Sequence, residues 1–498
     1  MLFSSFTFLF QFLPVTLLAF AAARLHSPRA GICVLMGASL IFYAAWKPVY
    51  LLLFTGSIMA NFGLGLLMRD PARRRAIGMA GVAVNLAVLG YFKYANFLLD
   101  SVGSLTGMPL PYADVILPIG ISFFTFQQIA YLVDVMRGAP AERDIVSYTL
   151  FVSFFPHLIA GPLVHHAEMI PQFKRGRTGR TTVLSARGAA IFAAGLFKKA
   201  VVADSLAQFV APVFSHVDAG GGVTTGWAWL ATLAYTLQIY FDFSGYSDMA
   251  IGLALLFGIR LPVNFRSPYR ALSVIDFWRR WHITLSRFLR DYLYIPLGGN
   301  RLGELRRYLN LMVTMLLGGL WHGAGWTYLA WGGLHGLYLA VNHVWQGLTL
   351  GAPVSNGPIA KFAGWFATFA AVVFAWVFFR AATFAGAWRL IQALFGMAPD
   401  SSAYASPGVL TLMGLPVWIG AQPLFLTGIA MVAGALVAVL ALPNVPQIFR
   451  YREYRHAPEP SSWLRWRPNA AWAVVSALTL TLALFAMWQR LEFLYFQF

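Results

Sequence analysis

"YTLFVSFFPHLIAGPLVHH", residues 148–166, is the stretch on which the fold turns. It is apolar and long enough to cross a membrane as one helix, yet Pro156, Gly161 and Pro162 interrupt it. Arg137 and Arg143 precede it and the basic "KRGRTGR" (174–180) follows it. Lys and Arg mark cytoplasmic loops, so a single crossing would strand one of these clusters on the wrong side. The run is therefore expected to form a re-entrant hairpin that enters and leaves on the cytoplasmic face. Broken backbone is tolerated at membrane depth only where it is buried in protein or lines a watery cavity, so a cavity is expected beside it.

The rest of the chain supports a membrane setting. Of its 498 residues, 59% are hydrophobic and 11% charged, and the mean hydropathy is +0.66. That leaves too little polar surface for a soluble globule of this size. The apolar runs are continuous rather than alternating, so the crossings are helices. Residues 6–23 resemble a signal peptide at their small-residue end, but no positive charge precedes them. They read as a retained first helix with its start outside. Crossings then follow at about 31–46, 49–68 (ending at the basic "RDPARRR") and 77–99, after which the loop 100–114 carries acids and no Lys or Arg. The next run returns to Arg137, and 187–215 pairs with 227–257 around the uncharged "GGGVTTG" (220–226). Later runs lie at about 310–346, 361–379, 409–442 and 470–488. The expected fold is an all-α polytopic integral membrane protein of about 10–12 transmembrane helices with re-entrant and amphipathic cytoplasmic segments around a central passage. We divide this single domain into N-terminal helices (1–136), a core with re-entrant segments (137–346) and C-terminal helices (347–498).

Between Arg260 and Arg307 the chain changes character, with nine arginines (266, 270, 279, 280, 287, 290, 301, 306, 307) interleaved with aromatics. Most of these arginines suit anionic lipid headgroups. The stretch "DFWRRWHITLSRFLRDYLYIPLGGN" (276–300) is too aromatic for a solvated loop and reads as half-inserted helices covering the cavity. A net charge of +18 fits membrane proximity, and no nucleic-acid-binding module accompanies it. Cys33 is the single cysteine, so no disulfide framework or cysteine metal site is expected. His157, His165 and His166 are separated by proline and glycine with no carboxylate trio beside them, so no metal site is read there.

A set of long motifs now becomes legible in order: "YFKYANF" (91–97), "LPIGISFFTFQQIAYLVDV" (117–135), "FPHLIAGPLVHH" (155–166), "YFDFSGYSDMAIGLALLFGI" (240–259), "FWRRWHITLSRFLRDYLYIPLGGNR" (277–301), "MLLGGLWHGAGWTYLAWGGLHG" (315–336) and the terminal "FLYFQF". Together they resemble the membrane-bound O-acyltransferase family over nearly the whole chain. The ending "LYFQF" lacks the Glu-Asn of a protease-tag scar and is read as native. The resemblance implies that His322 of the "WHG" motif is the catalytic residue. It also marks His282 of "WRRWHITLS" as a site residue, orienting the donor or assisting proton transfer.

The chemistry agrees with the first assignment. Acyl transfer from a thioester to a hydroxyl needs a base for the hydroxyl proton, and imidazole titrates in the right range. Gly318, Gly319, Gly323 and Gly325 would permit close approach by substrate, while Trp321 and Trp326 would exclude water. Arg279, Arg280, Trp281, Arg290 and Asn300 are the candidate donor-binding residues, since arginine forks and aromatic faces suit phosphates and adenine. Asp242, Ser244, Tyr246 and Asp248 look like a polar end to an apolar helix, paired with arginines of 279–290. His335 reads as a packing residue.

What the resemblance implies is an inner-membrane acetyltransferase with no permanently bound cofactor. It would take acetyl from a cytoplasmic donor, acetyl-CoA, for O-acetylation of an exported polysaccharide such as alginate, with membrane lipids and extracytoplasmic acetylation proteins as partners. A relative acting on teichoic acid or cellulose, and a polysaccharide exporter, are the alternatives. His322 follows the basic 301–307 stretch by roughly 20 Å of helix at about 1.5 Å per residue. That depth requires a passage, with walls expected from "PHLIAGP", "DFSGYSD" and "GGLWHGAGW", with His322 at its narrowest part and His282 on its cytoplasmic side.

Overall fold

A computed structural model describes residues 1–108, 110–112, 115–175, 181–348, 357–397, 421–453 and 462–487. Most of the basic loop at 174–180, most of the polar insertions near 351–360 and 396–408, the end of the basic 450–460 segment and the terminal "FLYFQF" lie outside these. The N-terminal helices are α1 (Leu13–His26, entered through a π-helical turn at Phe8–Phe12), α2 (Pro28–Ala44), α3 (Tyr50–Leu67), α4 (Arg74–Thr106) and α5 (Ile121–Met136). The core follows as α6 (Ile145–Ser153), α7 (Phe155–Leu158), α8 (His166–Arg175), α9 (Thr181–Phe197), a π-helical stretch Lys198–Ala203, α10 (Asp204–Asp218) and α11 (Thr225–Leu256). It continues through α12 (Val274–Trp278), α13 (Ile283–Leu289), α14 (Glu304–His322) and α15 (Trp326–Leu348). The C-terminal helices are α16 (Pro358–Arg380), α17 (Phe384–Leu394), α18 (Ala421–Ala441), α19 (Val445–Ile448) and α20 (Ala470–Ala486).

The protein is an all-α polytopic membrane protein. Among the described residues, five helical stretches are long and apolar enough to cross a bilayer: Phe8–His26, α3, α4, α16 and Leu424–Ala441. α2, α5 and α20 are apolar but shorter. Length and hydropathy thus single out fewer spans than the sequence expectation. Several apolar runs are interrupted helices, and others carry polar residues that only protein can cover. The outward faces are apolar, with Leu18, Leu52, Val84, Phe362 and Leu478 all exposed. In water such a belt would be an aggregation surface, but in hydrocarbon it is matched.

α11 is the axle. From Leu230 almost every one of its residues to Leu255 is buried, as expected for a helix surrounded by protein. It lies closest to α9, and glycines allow the approach. A Cβ on Gly195 would stand 2.6 Å from the Gly245 carbonyl oxygen and 2.7 Å from the Met249 nitrogen, and one on Gly252 would stand 2.6 Å from Gly188 oxygen. These are backbone atoms that cannot swing away. The 148–166 run breaks as its prolines and glycine require, into α6, α7 and an irregular 159–165 segment, all of it buried or nearly so. The 187–215 run divides at the π-helical turn, and 310–346 folds back on itself at 323–325 to form the α14–α15 hairpin.

The seam makes a direct prediction. Gly195→Val should lower the thermal midpoint of the detergent-purified protein, reflecting at least the 1–3 kcal/mol, roughly, of an overpacked interior. Gly37→Ala, where an added Cβ meets nothing within 4 Å, should leave it in place. Equal midpoints would remove the seam from the account of stability.

Candidate active site

His322 is the last residue of α14 and is 5% exposed. Aromatic rings surround it: Trp321 at 4.9 Å between centroids, Trp331 at 5.2 Å and Phe379 at 5.2 Å. The ring of His282 stands 6.2 Å away. The two motif histidines, 40 residues apart in sequence (322 − 282), therefore share one site.

His282 is held by unusual backbone. It caps the start of α13 with φ 42°, a left-handed conformation rare for a residue with a Cβ. Asn264 stabilises this turn from both ends. Its carbonyl oxygen accepts the Ile283 N–H at 3.0 Å, and its Oδ1 accepts the Thr284 N–H at 3.2 Å and the Thr284 hydroxyl at 3.0 Å. Oδ1 also meets His282 Nδ1 at 3.2 Å. A backbone N–H only donates, so the atom facing it must be the amide oxygen, and Nδ1 must then carry a proton. The neutral ring consequently presents Nε2 as its acceptor. That atom is buried and makes no hydrogen bond among the described residues. The Thr284 hydroxyl accepts the Leu163 N–H at 3.0 Å, which ties the broken 159–165 segment to the histidine turn.

A pocket of about 420 Å³ reaches the site, with His322, Trp321, Lys93, Ile159 and residues 117–123 in its wall. Two of the three expected walls thus contribute, "PHLIAGP" through Ile159 and the "WHG" turn itself. "DFSGYSD" does not, and neither does His282. Asp242, Ser244, Tyr246 and Asp248 lie in the middle of α11 rather than at its end. The partners shown for the two aspartates are lysines, not the arginines expected: Lys198 bonds Asp248 at 2.6 Å and Lys199 meets Asp242 at 3.0 Å. The π-helical turn carries both lysines onto the α11 face.

Other expectations divide. Trp326 is 57% exposed and packs at a tilt against Phe97, so it does not shield His322. Trp331, one turn and more further along α15, takes that place. The glycines of "GGLWHGAG" serve the hairpin rather than the substrate: a Cβ on Gly319 would stand 2.3 Å from Tyr328 oxygen, and one on Gly323 would stand 2.1 Å from the Tyr328 ring. His335 packs as expected, its Nδ1 accepting the Trp278 indole N–H at 3.3 Å. His157 is buried, with Gln127 Nε2 3.1 Å from its Nδ1.

The donor candidates do not converge on one pocket. Arg279, Arg290 and Asn300 are exposed, Arg280 bonds Asp276 at 2.8 Å and Arg290 bonds its neighbour Asp291 at 2.7 Å. Trp281 is 2% exposed, buried against Phe277 and Trp376. The 276–300 stretch does form short half-buried helices, with Phe277, Trp278, Leu285 and Phe288 turned inward. Sequence reasoning missed Trp331, Phe379 and Asn264. Asn264 was the hardest to find, because its role depends on a turn that only the folded chain displays.

The fold is that of an all-helical membrane protein, with two facing histidines and a pocket in whose wall His322 stands. Comparisons with known proteins specify the class. Residues 85–383 match the model of the membrane-bound O-acyltransferase family. The chain is 47% identical over 405 residues to a probable alginate O-acetylase of Pseudomonas aeruginosa, covering 79% of this chain and 75% of that one. It is 43% identical over 437 residues to the peptidoglycan O-acetyltransferase of Helicobacter pylori, covering 82% of each. A teichoic acid D-alanyltransferase of Streptococcus thermophilus is 27% identical over 240 residues, 46% of this chain and 57% of that one. The chain belongs to the membrane-bound O-acyltransferase family, and it is an O-acyltransferase.

Asn264→Ala removes one acceptor from buried donors on His282 and Thr284. Each donor left unsatisfied costs about 1–3 kcal/mol, so the thermal midpoint should drop and acyl transfer should fall with it. Ser247→Ala, which loses only a 3.5 Å contact to Asn264, should behave as wild type. An Asn264→Ala protein of unchanged midpoint and turnover would show that the clamp carries no weight.

Proposed function

We propose that the protein transfers acetyl groups from a cytoplasmic thioester donor, acetyl-CoA, toward a hydroxyl acceptor on the far side of the bacterial inner membrane, with His322 as the general base. The observation that carries this reading is the position of His322 at the far end of α14 from the basic 301–307 stretch, in the wall of an open pocket. At about 1.5 Å per residue, the 19-residue α14 is about 28 Å long, close to the hydrocarbon thickness. On this reading the donor side and the acceptor side meet at one imidazole, through one continuous passage with His322 at its narrowest part.

In the proposed step, His322 takes the proton of the attacking hydroxyl as its oxygen bonds the thioester carbonyl carbon. The tetrahedral intermediate collapses, the C–S bond breaks, and the thiolate recovers the proton from the imidazolium. One ester and one thiol result, with no other reactant. His282, whose buried Nε2 makes no hydrogen bond among the described residues, orients the donor or assists this proton transfer. Arg279, Arg280 and Arg290 form the cytoplasmic entrance for the donor phosphates, together with Asn300 on the same stretch, and no cofactor stays bound.

The acceptor is an exported glycan, reached directly or through extracytoplasmic partner proteins. The Pseudomonas relative's name points to alginate. A second acceptor, peptidoglycan, is favoured by the match over 437 residues to the Helicobacter relative. Ester analysis of exopolymer and of cell wall from a deletion strain separates the two.

His322→Ala should abolish acetate esters on the acceptor while the protein remains inserted and folded. Normal ester levels from a well-expressed variant would overturn the assignment. Charge reversal at Arg279 or Arg280 should weaken use of the donor more than reversal at Arg450 or Arg452. Equal losses, or protease cleavage showing 276–300 to be extracytoplasmic, would remove the entrance from this stretch.

A further inference from the structure

The motif "YFKYANF" has so far been given no task, yet two of its residues reach the end of the helix that bears His322. An α-helix leaves its last four carbonyls without intrahelical partners, and in a membrane interior water does not satisfy them. At the end of α14, Gly319 oxygen accepts the Gly323 N–H at 3.4 Å. Leu320 oxygen accepts the Tyr94 hydroxyl at 3.0 Å. Trp321 oxygen accepts from Lys93 Nζ, and His322 oxygen accepts from the same ammonium at 3.3 Å. Each of the four carbonyls has a partner, and α4 supplies three of the bonds. The positive charge also suits the negative end of the α14 dipole.

We infer that Lys93, aided by Tyr94, is a positioning residue for acyl transfer: its ammonium clamps the last two carbonyls of α14 and so fixes where the His322 imidazole stands. The inference rests on the reading of His322 as the base. An anion-binding role for this lysine is disfavoured by its own bonds. Besides the two carbonyls, Nζ donates to Ser122 Oγ at 3.5 Å, so its three protons are committed. The Trp321 ring lies 5.8 Å from the same nitrogen. Beyond His322 the chain turns through Gly323-Ala324-Gly325, so the carbonyl clamp is what fixes the backbone at His322, while Trp321, Trp331 and Phe379 pack on its ring.

Lys93 lines the same pocket as His322, which makes chemical rescue a test. Membranes from cells expressing the full chain are supplied with labelled acetyl-CoA, and label entering glycan ester is followed. Lys93→Ala should lose turnover on the order of 10²-fold, the scale of a small misplacement of a reacting group, with little change in KM for the donor. Ethylammonium or propylammonium should restore turnover with saturation, and tetramethylammonium, which has no N–H, should not. Tyr94→Phe should lose less, since it frees one carbonyl further from the imidazole. If Lys93→Ala does not fold, Lys93→Cys in a Cys33→Ser background replaces it. There, aminoethylation should restore turnover and ethylation should not. Turnover of Lys93→Ala within about threefold of wild type, well short of that 10²-fold scale, would overturn the inference. So would a loss in folded protein that no primary ammonium restores, or equal rescue by both alkylations. His322→Ala should stay inert with every amine. Activity there would remove the base while leaving the Lys93 result to be judged by its own rescue.

Discussion

Hydrocarbon offers no hydrogen bonds, so any backbone group that leaves a helix at depth must be answered by protein. The site is built where the chain repeatedly breaks this continuity. After α6 ends, the Phe155 N–H is taken by the Ser39 hydroxyl at 3.2 Å, and the Leu163 N–H by the Thr284 hydroxyl at 3.0 Å. Each bond crosses more than a hundred residues of sequence. The broken 148–166 run is therefore fastened to α2 at Phe155 and to the His282 turn at Leu163. A cavity beside it persists because its backbone is satisfied by distant hydroxyls rather than by collapse.

Charge at depth obeys the same rule. Asp242 and Asp248 on α11 would be costly alone, and lysines within 3.0 Å and 2.6 Å answer them. Lys199 also bonds Asp204 at 2.6 Å. The π-helical turn at Lys198–Ala203 widens the helix by one residue per turn and is what aims two consecutive lysines at α11. Buried ion pairs are weak evidence for stability, because desolvation offsets much of their attraction. Their effect here is on register: with the glycine seam fixing the distance between α9 and α11, the pairs fix how far one helix slides along the other. α11 in turn packs Phe243 against His282 at 4.7 Å between ring centroids, so the slide matters to the site.

The sequence made the membrane class, the break at 148–166 and the two motif histidines legible, because each is written in local composition or in a short motif. Family resemblance singled out His322 and His282 separately, and the fold brings them face to face. What stayed hidden depended on geometry between elements. Trp326 and Trp321 flank His322 in sequence, but the chain reverses at 323–325, which sends Trp326 to the surface and brings Trp331 to the imidazole. The aspartates of α11 were matched to arginines because arginines are abundant nearby in sequence. The lysines that bind them belong to an interrupted helix whose π-helical turn has no signature in hydropathy. The glycines of the "WHG" turn looked like room for substrate, whereas Tyr328 fills the space beside Gly319 and Gly323.

These arrangements share a consequence for how the site can move. The His322 end of α14 is bonded to α4, and the α14–α15 hairpin is closed by glycine contacts with little slack. The His282 turn is bonded to Asn264 and through Thr284 to the broken segment. The two histidines thus belong to separately braced bodies whose ring centroids stand 6.2 Å apart. At that separation the rings are in edge-to-face contact and leave no room between them, so the open approach to His322 is the pocket in whose wall it stands. Preorganisation of this kind places the cost of order in folding rather than in each turnover, and it lets broken, polar backbone persist around the two histidines.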